Sequence, residues 1–247
     1  VILGAGFSRS AGLPLAKDLF DFDIFAGSRA AERRFNVVLN AWRDWRASEP
    51  GQGPEQFLTK LYQTPRIGPV PWPWAVEYVA AVLATPLPQD RGAYSPRYAA
   101  RITRPVPVAV HIAFWNVVLS CFQTKAVITT NYDILAERGL RHRAMSRPTR
   151  PGFFYGGLSR PQNLKGAALP FSVYESERVI TLDGAIPLYK LHGSLNWSFE
   201  AGVLALYQDL RPAFRHGGDA QIVPPVLEKE APSWLIPIWH DARTALA

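Results

Sequence analysis

The chain has 247 residues, 48% of them hydrophobic, which is enough apolar material for a substantial core. The formal net charge of +7 comes from 27 Lys and Arg residues against 20 Asp and Glu, and the basic residues are scattered along the chain. This pattern leaves nucleic acid open as a partner but does not indicate it. A single cysteine excludes a disulfide within the chain and a cysteine-rich zinc site. We therefore expect a cytoplasmic protein without a bound metal.

The first part of the chain begins with a strand and continues with helices. The run VILGAG, residues 1–6, predicts a short strand of the kind that is buried on both faces of a parallel sheet. Gly12 and Pro14 precede a helix predicted over residues 17–25. Across residues 29–47 apolar positions recur at steps of three and four, which predicts an amphipathic helix; they are Phe35, Val38, Leu39, Trp42 and Trp45. Segments rich in proline and glycine follow at 49–54 and 65–74, with helices between and after them, so residues 28–104 are predicted to form a mainly helical insertion.

The rest of the chain alternates between strands and helices. The apolar run of residues 107–122 predicts a buried helix and is too short for a bilayer span, so we expect no membrane partner. Strands are predicted over 126–130 and 185–193, with a helix from residue 133, a loop or irregular β segment over 147–165, and a last helix over 233–247. Such alternation implies an α/β fold. We expect a single domain over residues 1–247 with a Rossmann-like, mostly parallel sheet flanked by helices.

Three polar clusters directly follow the predicted strands. They are GAGFSRSAG at residues 4–12, TTNYD at 129–133 and LHGSLNW at 191–197. Because ligands of such sheets bind at the carboxyl ends of the strands, the clusters are expected at one edge. A glycine pair lets the backbone approach a pyrophosphate, Asn131 and Asp133 can be polar ligands of a sugar, and His192 can accept a proton near neutral pH. Taken singly, the clusters also fit a tight turn, a helix cap at Asp133 and a hydrogen-bonded turn histidine.

In this order and at the ends of α/β strands, the three clusters, with the first extended to GAGFSRSAGLP, resemble the NAD-consuming sirtuin family. They are more similar to its bacterial branch in antiphage defence systems, which the segment IVPPVLEKEAPSWLIPIWHDA at residues 222–242 also resembles. The resemblance implies NAD⁺ as the substrate. The residues that it implies for binding are Gly4, Ala5, Gly6, Phe7, Ser8, Thr130, Gly193 and Ser194, and those for catalysis are Asn131, Asp133 and His192.

Departures from the family narrow the expected activity. Deacetylating sirtuins carry a four-cysteine zinc module, which a chain with one cysteine cannot build. Residues 15–17 are Leu, Ala and Lys, where the deacetylases have an Asp-Phe-Arg run. We therefore expect an NAD⁺ hydrolase that releases nicotinamide and ADP-ribose in antiphage defence by NAD⁺ depletion. The alternatives are a protein deacylase that uses NAD⁺, a non-catalytic sensor of NAD⁺ or ADP-ribose, and an NAD⁺ cyclase.

The resemblance also concerns what surrounds this domain. The chain starts inside a strand, and the last strands of the family do not follow residue 247, so it resembles a fragment that lacks the C-terminal part of the fold. Because unrestrained NAD⁺ hydrolysis would kill a cell, we expect a gate. We expect a partner domain or a homo-oligomer interface to supply that gate, with the helical insertion as a candidate for the contact.

Overall fold

The structure, a computed structural model, contains a four-stranded parallel sheet with helices packed against it. It describes residues 1–21, 29–64, 66–67, 70–84, 109–146, 152–158, 164–165, 185–207, 220–226, 230 and 232–247. The strands are β1 (Ile2–Leu3), β2 (Arg66–Ile67), β3 (Val70–Pro71), β4 (Val127–Thr129), β5 (Phe153–Tyr155), β6 (Leu164–Lys165), β7 (Ile186–Lys190), β8 (Gly193–Ser194), β9 (Trp197–Glu200), β10 (Val203–Tyr207) and β11 (Gln221–Ile222). The helices are α1 (Ala5–Arg9), a 3₁₀ helix (Ala16–Asp18), α2 (Arg29–Ser48), α3 (Pro54–Gln63), α4 (Trp72–Ala84), α5 (Ala109–Cys121), α6 (Leu135–Ser146) and α7 (Ile236–Leu246).

The main sheet has the strand order β1, β4, β7, β5, and its pairings are all parallel. Its register places Leu3 beside Thr129 and Thr129 beside Lys190, so the carboxyl ends of three neighbouring strands lie side by side. The β-branched run of β4 is buried throughout, as expected for a central strand. A three-stranded sheet has the order β6, β10, β9. Two-stranded sheets pair β8 with β11 and β2 with β3. The predicted α/β class with a parallel sheet is confirmed.

Helices cover the main sheet and build one of two apolar cores. α6 contacts β5, α7 contacts β7, and α5 packs against α6. Trp115 of α5, Leu188 of β7 and Ile238 of α7 are fully buried in this core. The predicted helix after β4 and the predicted last helix are present as α6 and α7.

A second apolar core is formed mainly by α2, α3 and α4. The spacing in α2 turns Phe35, Val38 and Trp42 inward, as predicted. Glu77 of α4 is also buried, and Arg34 of α2 donates two hydrogen bonds to it, from Nε to Oε2 at 2.8 Å and from Nη2 to Oε1 at 2.6 Å. This two-pronged ion pair ties α2 to α4 within the apolar contact.

The helix predicted over residues 17–25 is wrong in the part that the structure describes. Only the 3₁₀ helix at Ala16–Asp18 forms, followed by a turn; residues 22–25 lie outside the described residues. Leu19 and Phe20 enter the second core from that turn. Tertiary burial therefore fixes this segment without a regular helix.

Residues 109–121 of the apolar run 107–122 form the predicted helix, but the prediction that it is buried is wrong. Of the described α5 side chains, only His111 and Trp115 are buried, whereas Val110 and Val117 are more than half exposed. His111 and Trp115 lie four positions apart, so they share the one face of α5 that packs against the rest of the protein. Apolar composition predicts burial only where a second element covers the opposite face.

Two predictions about strands also need correction. β1 spans only Ile2–Leu3 and lies at the edge of the described sheet, so Ile2 is 69% exposed instead of buried on both faces. The segment of residues 147–165, predicted as loop or irregular β, contains β5, a regular strand of the main sheet. Its Phe-Phe-Tyr run is too short for periodicity to distinguish it from a loop.

Parts of the predicted organisation fall on residues that the structure does not describe. These are residues 85–104 of the helical insertion and most of 147–165, so the insertion stays a prediction. In the part of the chain that the structure describes, no helix has the length and apolar character needed to cross a membrane.

The contribution of the Arg34–Glu77 ion pair to stability can be tested, because removal of Arg34 leaves the buried Glu77 carboxylate without this partner. We expect Arg34→Ala to lower the free energy of unfolding by about 1–3 kcal/mol, the cost of leaving a buried hydrogen-bonding group unsatisfied. Arg33→Ala is the matched control, since Arg33 is exposed on the same helix, and should change the stability by less than about 0.5 kcal/mol. Urea unfolding of both variants measures the difference; equal effects would contradict the role of the pair.

Candidate functional site

A cavity of about 200 Å³ lies at the carboxyl ends of β1, β4 and β7, where the helical core meets the main sheet. Its lining from the three polar clusters consists of Ala5, Ser8, Thr130, Asn131, Tyr132, Asp133 and His192. The rest of its lining consists of Leu13, Pro14, Ala16, Leu19, Glu55, Leu83 and Pro225. The three clusters therefore meet at one edge of the sheet, because β1, β4 and β7 are parallel neighbours.

A chain of hydrogen bonds connects the first cluster to the second. Asn131 Nδ2 donates to the carbonyl of Gly4 at 3.0 Å and to Ser8 Oγ at 2.9 Å, and Ser8 Oγ donates to Asp133 Oδ2 at 2.6 Å. Asn131, Ser8 and Asp133 are all buried. Asn131 Oδ1 has no hydrogen-bond partner among the described residues, so it remains an acceptor at the wall of the cavity.

Asp133 also makes the helix-cap contact that the sequence allows. Its Oδ1 accepts the backbone N–H of Leu135 at 2.9 Å, at the start of α6, while Oδ2 is held by Ser8. Both carboxylate oxygens thus accept a hydrogen bond within the protein. Asp133 fixes the position of the loop between β4 and α6 and contributes a negative charge to the cavity wall.

His192 is half-buried and follows β7, with its ring next to that of Tyr132 at a centroid distance of 5.7 Å. The backbone N–H of Val223 donates to the carbonyl of His192 at 2.9 Å, and the hydroxyl of Tyr132 donates to the carbonyl of Val223 at 2.8 Å. Residues 221–223 therefore hold the second and third clusters together through their backbone. The imidazole side chain is a group that can accept or release a proton near neutral pH.

A buried ion pair lies beneath the second cluster. Lys190, the last residue of β7, is fully buried, and its Nζ lies 3.1 Å from Glu137 Oε1 and donates to the carbonyl of Asp133. Burial raises the pKa of the Glu137 carboxyl group, and the Lys190 ammonium opposes that rise. The pair connects β7 to α6 and the loop before α6.

The remaining predicted site residues do not line the cavity. Gly4 and Gly6 are exposed, with open space where a side chain would point, and Gly4 contributes its carbonyl to Asn131. Phe7 packs edge-on against His111 of α5, with ring centroids 4.7 Å apart. Ser194 is fully buried and donates to the carbonyl of Tyr132. Their contacts connect the clusters to the surrounding core.

The structure adds residues to the site that the sequence analysis missed. Glu55 and Tyr132 line the cavity, and Lys190 supports its floor. The sequence carries a usable signal for Lys190 alone, because a lysine inside the apolar strand IPLYK must find a partner when it is buried. Nothing in the spacing of residues 49–64 marks Glu55.

Comparison with known proteins yields no match of the chain to a protein-family model or to a curated protein sequence. Among the residues that the structure describes, no three His, Cys, Asp or Glu side chains are grouped as a metal site would require. The geometry of the cavity therefore provides the basis for the functional proposal.

Gly193 is the position where the third cluster tolerates no side chain. Its φ is +78°, and a Cβ there would lie 2.1 Å from the carbonyl oxygen of Gln221. Gly202 has a φ of +79°, and a Cβ built there would have no atom within 4 Å. The two glycines therefore share a φ near +80° and differ in the room available for a side chain.

We expect Gly193→Ala to destabilise the protein by about 1–3 kcal/mol more than Gly202→Ala, since only the first substitution forces β8 away from β11. Urea unfolding of the two variants isolates this packing cost from the shared backbone strain. Equal destabilisation would show that Gln221 does not approach Gly193 this closely.

Proposed function

We propose that this protein is an NAD⁺ hydrolase that cleaves NAD⁺ to nicotinamide and ADP-ribose, within a Rossmann-like fold and in bacterial antiphage defence by NAD⁺ depletion. The observation that carries the proposal is that Asn131 and His192, from separate strands, line one cavity with Ser8 and Thr130. The amide of Asn131, the two hydroxyl groups and the imidazole can form hydrogen bonds with the hydroxyl groups of a ribose and with a water molecule. The single cysteine favours the cytoplasm as the site of action.

The size of the cavity indicates which part of NAD⁺ it takes. Its volume of about 200 Å³ is below the roughly 300–1,000 Å³ of sites that enclose drug-sized ligands. We assign it to the nicotinamide riboside end. The exposed glycine segment Gly4, Ala5 and Gly6 at its edge then carries the pyrophosphate, which the backbone can approach closely where no side chain stands.

The reaction breaks the bond between ribose C1′ and the pyridinium nitrogen. The bonding electrons go to that nitrogen, so nicotinamide leaves as a neutral molecule and the ribose becomes an oxocarbenium ion, as in glycoside hydrolysis. Water then adds to C1′ and loses a proton, which gives ADP-ribose. No acid is needed to protonate the leaving group, so the protein has to stabilise positive charge and position the water.

Each catalytic side chain has a role in this scheme. Asn131 Oδ1 accepts a hydrogen bond from the attacking water, and His192 accepts the proton from water or from a ribose hydroxyl. Asp133 fixes Ser8 and the loop while its negative charge favours the ribosyl cation. Thr130 contacts the ribose, whereas Phe7, Gly193 and Ser194 act by holding the clusters in place.

The first test is incubation of the purified protein with NAD⁺ alone, with nicotinamide and ADP-ribose followed by chromatography. We expect His192→Ala to lower kcat/KM by about 10²- to 10⁴-fold through loss of the base, and Asn131→Ala by about 10²- to 10³-fold through loss of the positioned dipole. The matched controls are His240→Ala and Asn40→Ala, both at exposed positions on other helices. Thermal unfolding checks that the variants are folded.

The outcomes separate the alternatives. Release that persists unchanged in His192→Ala and Asn131→Ala contradicts the assignment of the site. Release that requires an acylated peptide indicates a deacylase, a cyclic product indicates a cyclase, and binding of NAD⁺ without turnover indicates a sensor.

We propose further that residues 28–104 form a helical insertion and that activity is gated by a partner domain or a homo-oligomer. The gate predicts that specific activity changes with protein concentration or with the partner. Nicotinamide release, measured across a dilution series whose oligomeric state is followed by light scattering, tests this. A monomer that is fully active at every dilution would contradict the gate.

A further inference from the structure

Glu55 is a second carboxylate at the cavity, and it comes from the helical core instead of the sheet. It lies in the first turn of α3, is half-buried and lines the cavity that Asn131 and His192 also line. The proposed hydrolysis scheme assigns it no task. Its helix fixes its backbone, since its carbonyl accepts Thr59 Oγ1 at 2.7 Å.

The Glu55 carboxylate takes no part in the cap of α3. At the start of α3 the capping contact is made by the next residue, because Gln56 Oε1 accepts the backbone N–H of Gly53 at 3.0 Å. Among the described residues, the Glu55 carboxylate has no hydrogen bond and no ion pair. It is therefore available to a ligand in the cavity.

The charge balance of the cavity indicates what that ligand is. The ionisable side chains of its described lining are Glu55, Asp133 and His192, plus the Tyr132 hydroxyl, and no Lys or Arg belongs to that lining. Asp133 already binds Ser8 and the start of α6. Burial chiefly, and the Glu55 carboxylate in addition, raise the pKa of the Tyr132 hydroxyl, another group of the lining.

We propose that the Glu55 carboxylate makes the cavity a subsite for a cationic N-substituted pyridinium group and disfavours phosphate there. The identification of that group as the nicotinamide riboside end of NAD⁺ rests on the proposed function. The positive charge lies on the pyridinium nitrogen in the substrate and moves to the adjacent ribose carbon as the bond breaks. A carboxylate near both atoms stabilises the bound substrate and the transition state alike, so Glu55 sets affinity more than the chemical step.

The direct test uses two probes that have no glycosidic bond and cannot be hydrolysed. These are 1-methylnicotinamide, a cation, and nicotinamide, its neutral counterpart, each titrated into the protein and followed by ligand-observed NMR. We expect the wild type to prefer the cation by about two- to fivefold, the size of a partly exposed charge contact. Glu55→Gln should remove the preference, and Glu55→Asp should retain it.

The matched control is Glu32→Gln, which removes an exposed carboxylate from the first turn of α2. It should leave the preference unchanged. A wild type without preference for the cation, or an equal preference in Glu55→Gln, would overturn the inference. Thermal unfolding of each variant shows whether it is folded. If Glu55→Gln does not fold, Glu55→Asp still tests the inference, because loss of the cation preference in that variant, which keeps the charge, would contradict it.

A parallel measurement with NAD⁺ separates this inference from the proposed function. If nicotinamide is released, Glu55→Gln should raise KM by about two- to fivefold with a smaller effect on kcat, as loss of uniform binding requires. Release with an unchanged KM in Glu55→Gln would leave the hydrolase in place and refute the subsite. No release at any concentration of the dilution series, with a cation preference that depends on Glu55, would contradict the hydrolase and leave the subsite in place.

Discussion

The hydrogen bonds from Asn131 through Ser8 to Asp133 hold the site together. They join the end of β1 to the end of β4, two segments more than 120 residues apart in sequence. Each member is buried, and a buried polar group that lost its partner would be unfavourable, so the three side chains constrain one another. None of these three side chains comes from the helical core, so the hydrogen bonds fix the side of the cavity that the sheet forms.

A second layer of constraint lies beneath this side of the cavity. Lys190 is fully buried between Glu137 and the carbonyl of Asp133, so β7, α6 and the intervening loop share one ion pair. A buried pair of this kind is weak evidence for stability, because desolvation offsets most of the attraction. Its value here is geometric, since it fixes the direction in which the loop leaves β4. Lys190 and Glu137 thus support the candidate site although neither of them lines the cavity.

The sequence predicts the fold well where one physical signal dominates. The apolar spacing of α2 and the β-branched run of β4 specify their elements, and parallel neighbouring strands bring the polar clusters together. It fails where tertiary contacts decide. Leu19 and Phe20 are buried from a turn, and half of the described side chains of α5 are exposed despite its apolar composition. Glu55 could not be predicted as a cavity residue because only the packing of α3 brings it to the sheet.

The backbone contacts of residues 221–223 have a consequence for how the chain can vary. The N–H of Val223 donates to the carbonyl of His192, the carbonyl of Val223 accepts the hydroxyl of Tyr132, and the carbonyl of Gln221 lies close to Gly193. Main-chain groups are the same for almost every amino acid, so substitutions that keep the packing of the buried side chains of Ile222 and Val223 leave the backbone bond to the histidine unchanged. Proline at 223 is the exception, because it lacks the N–H that His192 accepts. The candidate site is therefore partly insulated from sequence drift in one of the segments that shape it.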